Sequence, residues 1–102
     1  MPVIQVTKEN FASLQANEKP VLLDFYADWC GPCRMVSPII DEIGEEAEEA
    51  VVGKVNVDLV PELAIQFGVS RIPTLVVLRD GKVAHQVEGV SSKSEILSLI
   101  QA

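Results

Sequence analysis

The sequence predicts an α/β fold, a mixed β-sheet with helices on both faces. Three features carry that expectation. Val21-Leu22-Leu23-Asp24-Phe25-Tyr26-Ala27 is a nearly continuous apolar run, the mark of a strand covered on both sides. Strand-like and helix-like segments alternate through the first part of the chain, which calls for strands joined by crossover helices. Asp80-Gly81 separates two apolar runs later on, a strong hairpin signal that adds an antiparallel pair.

Taken in order, Val3 to Val6 reads as a short strand. Thr7 can cap a helix to about Ala16, with Phe11 and Leu14 inward. The strand Val21 to Ala27 leads to Cys30-Gly31-Pro32-Cys33 and a long helical pattern reaching about Glu49. Val51 to Val57 is the next strand. Pro61 suits the first turn of a further helix and Gly68 its stop. Thr74 to Leu78 and Val83 to Val87 form the hairpin, and Ser92-Lys93-Ser94-Glu95 is a capping box that opens a last helix carrying Ile96, Leu97 and Ile100. The predicted order is β-α-β-α-β-α-β-β-α.

At 102 residues, one domain spanning 1–102 is expected, large enough to bury a stable core. There is no repeat, low-complexity tract or linker. No apolar stretch approaches the roughly 20 residues of a membrane span. Met1-Pro2-Val3-Ile4-Gln5 lacks a basic segment followed by an apolar run, so no secretory signal is expected. The net charge of −7 argues against nucleic acid and against anionic membranes as partners.

The two cysteines, Cys30 and Cys33, are too close for their cross-link to constrain much unfolded chain. Their chemistry is a better reason for them than stapling. Cys33, Val36, Ile40, Ile43 and Ala47 recur at 3-4 spacing and share one helix face. Cys33 is therefore expected to face the sheet, shielded. Cys30 falls at the helix entry, where unpaired N–H groups and the helix dipole favour a thiolate. The expectation is an exposed, acidified nucleophile beside a shielded resolving thiol. Zinc is disfavoured: two thiols and a distant His85 fall short of a tetrahedral set. No metal and no cofactor are expected, because two sulfurs carry both electrons.

Asp24 interrupts an apolar strand. Burial should raise its pKa, which suits a group that takes the proton of Cys33 and returns it. Lys54, in the next strand, is expected to pair with Asp24 and moderate that shift. A purely structural ion pair is the alternative.

The stretch Asp24-Phe25-Tyr26-Ala27-Asp28-Trp29-Cys30-Gly31-Pro32-Cys33 resembles the active site of the thioredoxin family. The likeness continues through Pro38, Lys54-Val55-Asn56-Val57-Asp58, Ile72-Pro73-Thr74, Gly81 and Gly89. The resemblance implies a thioredoxin fold, a five-stranded mixed β-sheet flanked by four helices, with Pro73 cis beside the dithiol. It implies that the Ile72 backbone pairs with an extended substrate segment. It also implies that Trp29, Gly31, Pro32, Ile72, Pro73 and Gly89 form a flat docking surface. The implied partners are disulfide-containing proteins and a thioredoxin reductase. A cytoplasmic monomer is expected. Tyr26 and Glu88 depart from the family pattern. Tyr26 stands where many members have Trp, and Glu88 replaces an apolar docking residue, which would favour electropositive substrates.

Two rivals to a disulfide reductase follow from the same residues. One is a disulfide oxidase or isomerase; Gly31-Pro32 resembles the reducing members instead. The other is a non-catalytic binding module, against which both cysteines and Asp24 count. The acidic group Asp41, Glu42, Glu45, Glu46, Glu48 and Glu49 reads as a solvated face, with electrostatic steering as the alternative. Pro38 should kink its helix, and His85 is expected to be exposed.

Overall fold

A computed structural model describes residues 2–102. The elements run β1 (Ile4–Gln5), α1 (Lys8–Gln15), β2 (Val21–Tyr26), α2 (Gly31–Glu46), β3 (Val51–Asn56), α3 (Pro61–Gln66), β4 (Thr74–Arg79), β5 (Lys82–Glu88) and α4 (Lys93–Gln101). This is the predicted order. The five strands form one sheet, β1-β3-β2-β4-β5. β3 is parallel to β1 and β2, while β4 is antiparallel to both β2 and β5.

Strand alternation divides the core in two. Leu23 and Phe25 of β2, Val55 of β3 and Val76 and Leu78 of β4 pack with Phe11 and Leu14 of α1 and Leu63 of α3. On the opposite face, Leu22, Val52, Leu75 and Val77 pack with Val36, Ile40 and Ile43 of α2 and Ile96 and Ile100 of α4. The predicted stripe of α2 is thus the buried one. β2 lies at the centre of the sheet, so its carboxyl end and the α2 entry that follows are held from both sides.

Local chemistry accounts for the ends of the helices. The Thr7 hydroxyl accepts the Asn10 N–H, and the Asn10 side chain accepts the Thr7 N–H. Ser92 and Glu95 make the same reciprocal pair at α4. The guanidinium of Arg79 donates to Ile100 O at 2.7 Å, satisfying a carbonyl at the far end of α4. In the β4–β5 turn, Asp80 and Gly81 have φ of 55° and 78°, the left-handed pair that a tight two-residue hairpin requires.

Several boundaries differ from expectation: β2 and β3 end one residue earlier, at Tyr26 and Asn56, and β4 one later, at Arg79. α2 ends at Glu46 rather than near Glu49. Ala47 makes the last helical bond, to Ile43 O, and turns extended at ψ 121°, and Ala47 and Ala50 are both buried against the core. β1 is only two residues long, pairing with Gly53 and Lys54. β5 runs one residue further at each end than Val83–Val87, with an irregularity opposite Val77/Leu78. Pro38 lies within α2, on its exposed side, and the helix continues through it.

Gly53 has a reason that its sequence context does not reveal. A Cβ there would stand 2.7 Å from Val6 Cγ2, so β1 and β3 approach each other only because residue 53 has no side chain.

The acidic face of α2 is exposed, as expected, but it is not merely solvated. Lys93 of α4 bridges Glu42 and Glu46, and Asp41 binds Lys54 of β3. Among the described residues, no helix is long and apolar enough to cross a membrane.

Candidate active site

Cys30 and Cys33 form a disulfide at the amino end of α2, with Cα atoms 5.3 Å apart. Cys30 is the N-cap residue of the helix, and its sulfur accepts the Cys33 N–H at 3.2 Å. One first-turn donor of α2, the Cys33 N–H, is thus directed at Cys30 Sγ. When the bond is reduced, the same donor faces the sulfur that would carry negative charge. Gly31 and Pro32 occupy the first turn, and Pro32 wastes no N–H there.

The expected contrast in exposure is absent from this oxidised state. Cys30 is 4% exposed and Cys33 3%, so the prediction of a wet first sulfur is corrected. Ala27 is buried with both cysteines, and Tyr26, Val57 and Ile72 pack against this cluster. The asymmetry lies in partners instead. Cys30 Sγ has a helix N–H and lies 3.8 Å from Ile72 O. Cys33 belongs to the stripe of α2 directed at the sheet and borders a cleft of about 170 Å³ with Tyr26, Ala27, Asp28, Arg34 and Ser37.

The residues implied as a docking surface do gather around Cys30. Trp29 is 68% exposed, and its indole N–H donates to Asp58 Oδ2 at 2.9 Å. Ile72 is half-buried, and the Ile72–Pro73 bond is cis. Pro73 itself is buried. Gly89 donates its N–H to Pro73 O at 2.8 Å, which ties the end of β5 to the start of β4. Glu88 pairs in register with Thr74, directly after Pro73, and is exposed. Gly31 and Pro32 are exposed on the helix entry.

Sequence reasoning missed part of this surface. A second cleft, also about 170 Å³, is lined by Trp29, Val57, Ala64, Val69, Ser70 and Ile72. Ala64, Val69 and Ser70 lie far along the chain from the dithiol, and nothing in their local pattern marks them. Asp58 carries a weak signal, as a carboxylate directly after a buried strand.

Asp24 is 1% exposed, and neither carboxylate oxygen has a hydrogen-bond partner among the described residues. Desolvation pushes its pKa from 3.8 to about 7. The positive charge of Lys54 pulls it down and the negative charge of Asp41 pushes it further up, both more weakly. By strand alternation Asp24 shares the α2 face of the sheet with Leu22.

The expected Asp24–Lys54 ion pair does not form. The two residues are register partners on β2 and β3, yet the ammonium lies 3.0 Å from Asp41 Oδ1 and donates to Ser37 Oγ at 2.6 Å. It also lies 5.9 Å from the centroid of the Tyr26 ring. Lys54 still lowers the Asp24 pKa through space, but its ion pair and its hydrogen bond are both to α2. Among the described residues, no group of three His, Cys, Asp or Glu is placed to hold a metal.

The Thioredoxin family model matches residues 2–102. The chain is 44% identical over 95 residues to a thioredoxin of Chlamydia caviae, covering 93% of this chain and 92% of that one. It is 45% identical over 102 residues to a thioredoxin of Pyropia yezoensis, covering 98% and 95%. Among solved structures, a mutant thioredoxin from Halobacterium salinarum has a TM-score of 0.89 at 35% identity, covering 98% of this chain and 88% of that one.

Proposed function

The chain belongs to the thioredoxin family and is a thiol–disulfide oxidoreductase, and we propose that it reduces protein disulfides with Cys30 as nucleophile and Cys33 as resolving thiol. One observation carries the assignment of roles: Cys30 Sγ caps α2 and receives the Cys33 N–H at 3.2 Å. The nucleophile must be the sulfur whose anion is stabilised, and the helix entry supplies that stabilisation to Cys30.

The cycle starts with the Cys30 thiolate attacking one sulfur of a substrate disulfide. That S–S bond breaks, a bond from Cys30 to the attacked sulfur forms, and the other substrate sulfur leaves as a thiolate and takes a proton from solvent. The Asp24 carboxylate then accepts the Cys33 proton. The Cys33 thiolate attacks Cys30 Sγ, the Cys30–substrate S–S bond breaks, and the attacked substrate sulfur leaves as a thiolate that takes a proton, while Asp24 gives back the one it accepted. Substrate has gained two electrons and two protons, and the protein is left as the Cys30–Cys33 disulfide. With a pKa of about 7, Asp24 is divided between acid and base near neutrality, which suits both directions of transfer.

Substrate docks as an extended segment along Ile72, beside Trp29, Gly31, Pro32, Pro73 and Gly89. Glu88, at the edge of this surface, favours segments carrying Lys or Arg. Electrons return from a thioredoxin reductase, in a reducing, cytoplasmic setting.

Two measurements test the reading. In a glutathione redox buffer, the Cys30–Cys33 couple should come to equilibrium below roughly −220 to −260 mV. Turnover of a protein disulfide should be lost in Cys30→Ser. A potential well above that range would make the chain an oxidant, and turnover by Cys30→Ser would remove Cys30 from the chemistry.

A further inference from the structure

Lys54 and Asp24 stand side by side on neighbouring strands, on the same face of the sheet. Strands lie about 4.8 Å apart, so a lysine side chain is long enough to reach its neighbour's carboxylate. It reaches elsewhere. Lys54 is 15% exposed at its side chain, and its ammonium is held by Asp41 and Ser37. A buried carboxylate is left with no donor among the described residues while a cation within reach is occupied. Burying an unpaired acid costs several kcal/mol, so something must hold the cation away.

The sequence of α2 shows what does. Cys33, Ser37 and Asp41 are spaced i, i+4, i+8 and form one ridge of the helix. The ridge that carries the resolving thiol also carries both groups that hold Lys54. We propose that Ser37 and Asp41 are positioning residues that hold the Lys54 ammonium away from Asp24 and so govern how readily the buried carboxyl gives up its proton. The consequence for the reaction rests on the role of Asp24 proposed above; the effect on its acidity does not.

The groups bearing on Asp24 are few. β3 contributes Lys54 and α2 contributes Asp41, the two charges that act on it; Tyr26 follows two residues along its own strand, and Cys33 lies on the buried stripe of α2. β4 places Leu75 opposite, and α4 packs on this face through Ile96 and Ile100. Freed from α2, the ammonium can turn to Asp24, its register partner on β2.

The experiment follows the Asp24 side-chain carboxyl by 13C NMR against pH in the oxidised protein, where neither cysteine titrates. Ser37→Ala removes an anchor and no charge, and should lower the Asp24 midpoint. Asp41→Asn should lower it further, by about one pH unit, and Asp41→Glu should restore it. In a Lys54→Met background, Ser37→Ala should leave the midpoint where it was. An unmoved midpoint in Ser37→Ala, or an equal shift without Lys54, overturns the proposal. Stopped-flow measurement of the resolving step separates the two readings. If its pH midpoint follows the NMR midpoint, both stand. If Asp24→Asn resolves at the wild-type rate, Asp24 is not the base, and the NMR series alone decides the role of Ser37 and Asp41.

Discussion

Asp24 and Lys54 are paired positions of adjacent parallel strands, and no ion pair joins them: the ammonium sits 3.0 Å from Asp41 Oδ1, while both oxygens of Asp24 are buried without a donor among the described residues. The carboxyl therefore keeps most of the penalty of its burial. Its pKa moves from 3.8 to about 7. At about 1.4 kcal/mol per unit, that displacement corresponds to about 4 kcal/mol of lost stability once Asp24 is ionised.

The sign of the pH dependence follows. A carboxyl with a raised folded-state pKa is ionised more easily in the unfolded chain. The protein should lose stability as pH rises from about 4 to about 7, with no further loss from this group above that. Asp24→Asn removes the dependence. In urea unfolding it should match wild type near pH 4 and be more stable by a few kcal/mol, at most about 4, at pH 8. It should also slow release of the mixed disulfide at neutral pH. A variant no more stable at pH 8 would show that Asp24 is not buried as a strained acid.

Gly53 is expected to be intolerant of the smallest side chain. Ala normally gains about 0.5–1 kcal/mol over Gly in a strand. Here its Cβ would meet Val6 Cγ2 at 2.7 Å. Val6 has little freedom to yield: its N–H is bound to Lys54 O at 2.9 Å and its branched side chain is stiff. Overpacking should win, at a net cost of about 1–3 kcal/mol in the unfolding midpoint. Adding Val6→Ala should recover part of that loss, a non-additive pair that a double-mutant cycle detects.

Glu88 borders the surface at which substrate is expected to dock, opposite Thr74 and one residue from Gly89. Glu88→Lys should lower kcat/KM for disulfide peptides flanked by Lys or Arg and raise it for those flanked by Asp or Glu. Exposed charges are worth about 0.2–1 kcal/mol, so a change of about 1.4- to fivefold is expected each way. The preference should fade above about 0.15 M salt, where screening acts within about 8 Å. Equal rates for both peptides in wild type and variant would show that Glu88 plays no part in substrate choice.

Much of this molecule was legible in its sequence. Hydrophobic period distinguished the helices from the strands, Asp80-Gly81 located the hairpin, and the stripe Cys33, Val36, Ile40, Ile43 identified the buried face of α2. The placement of Cys30 at a helix entry followed from one boundary. These are short-range properties, set by spacing along a few turns of chain, and such properties survive into the folded state.

The sequence by itself determined the element order, the dithiol at the mouth of α2 and the buried acid on β2. Only the tertiary structure decided that both sulfurs are covered in the oxidised state, that Lys54 binds α2 rather than Asp24, and that Gly53 is needed beneath Val6. Each of these depends on which of several reachable partners a side chain meets. A lysine can reach a carboxylate on the next strand or one on the helix above, and residue types along the chain do not choose between them. The packing of α2 over β2 and β3 does, because it sets the distances on which Coulomb attraction and hydrogen bonding depend.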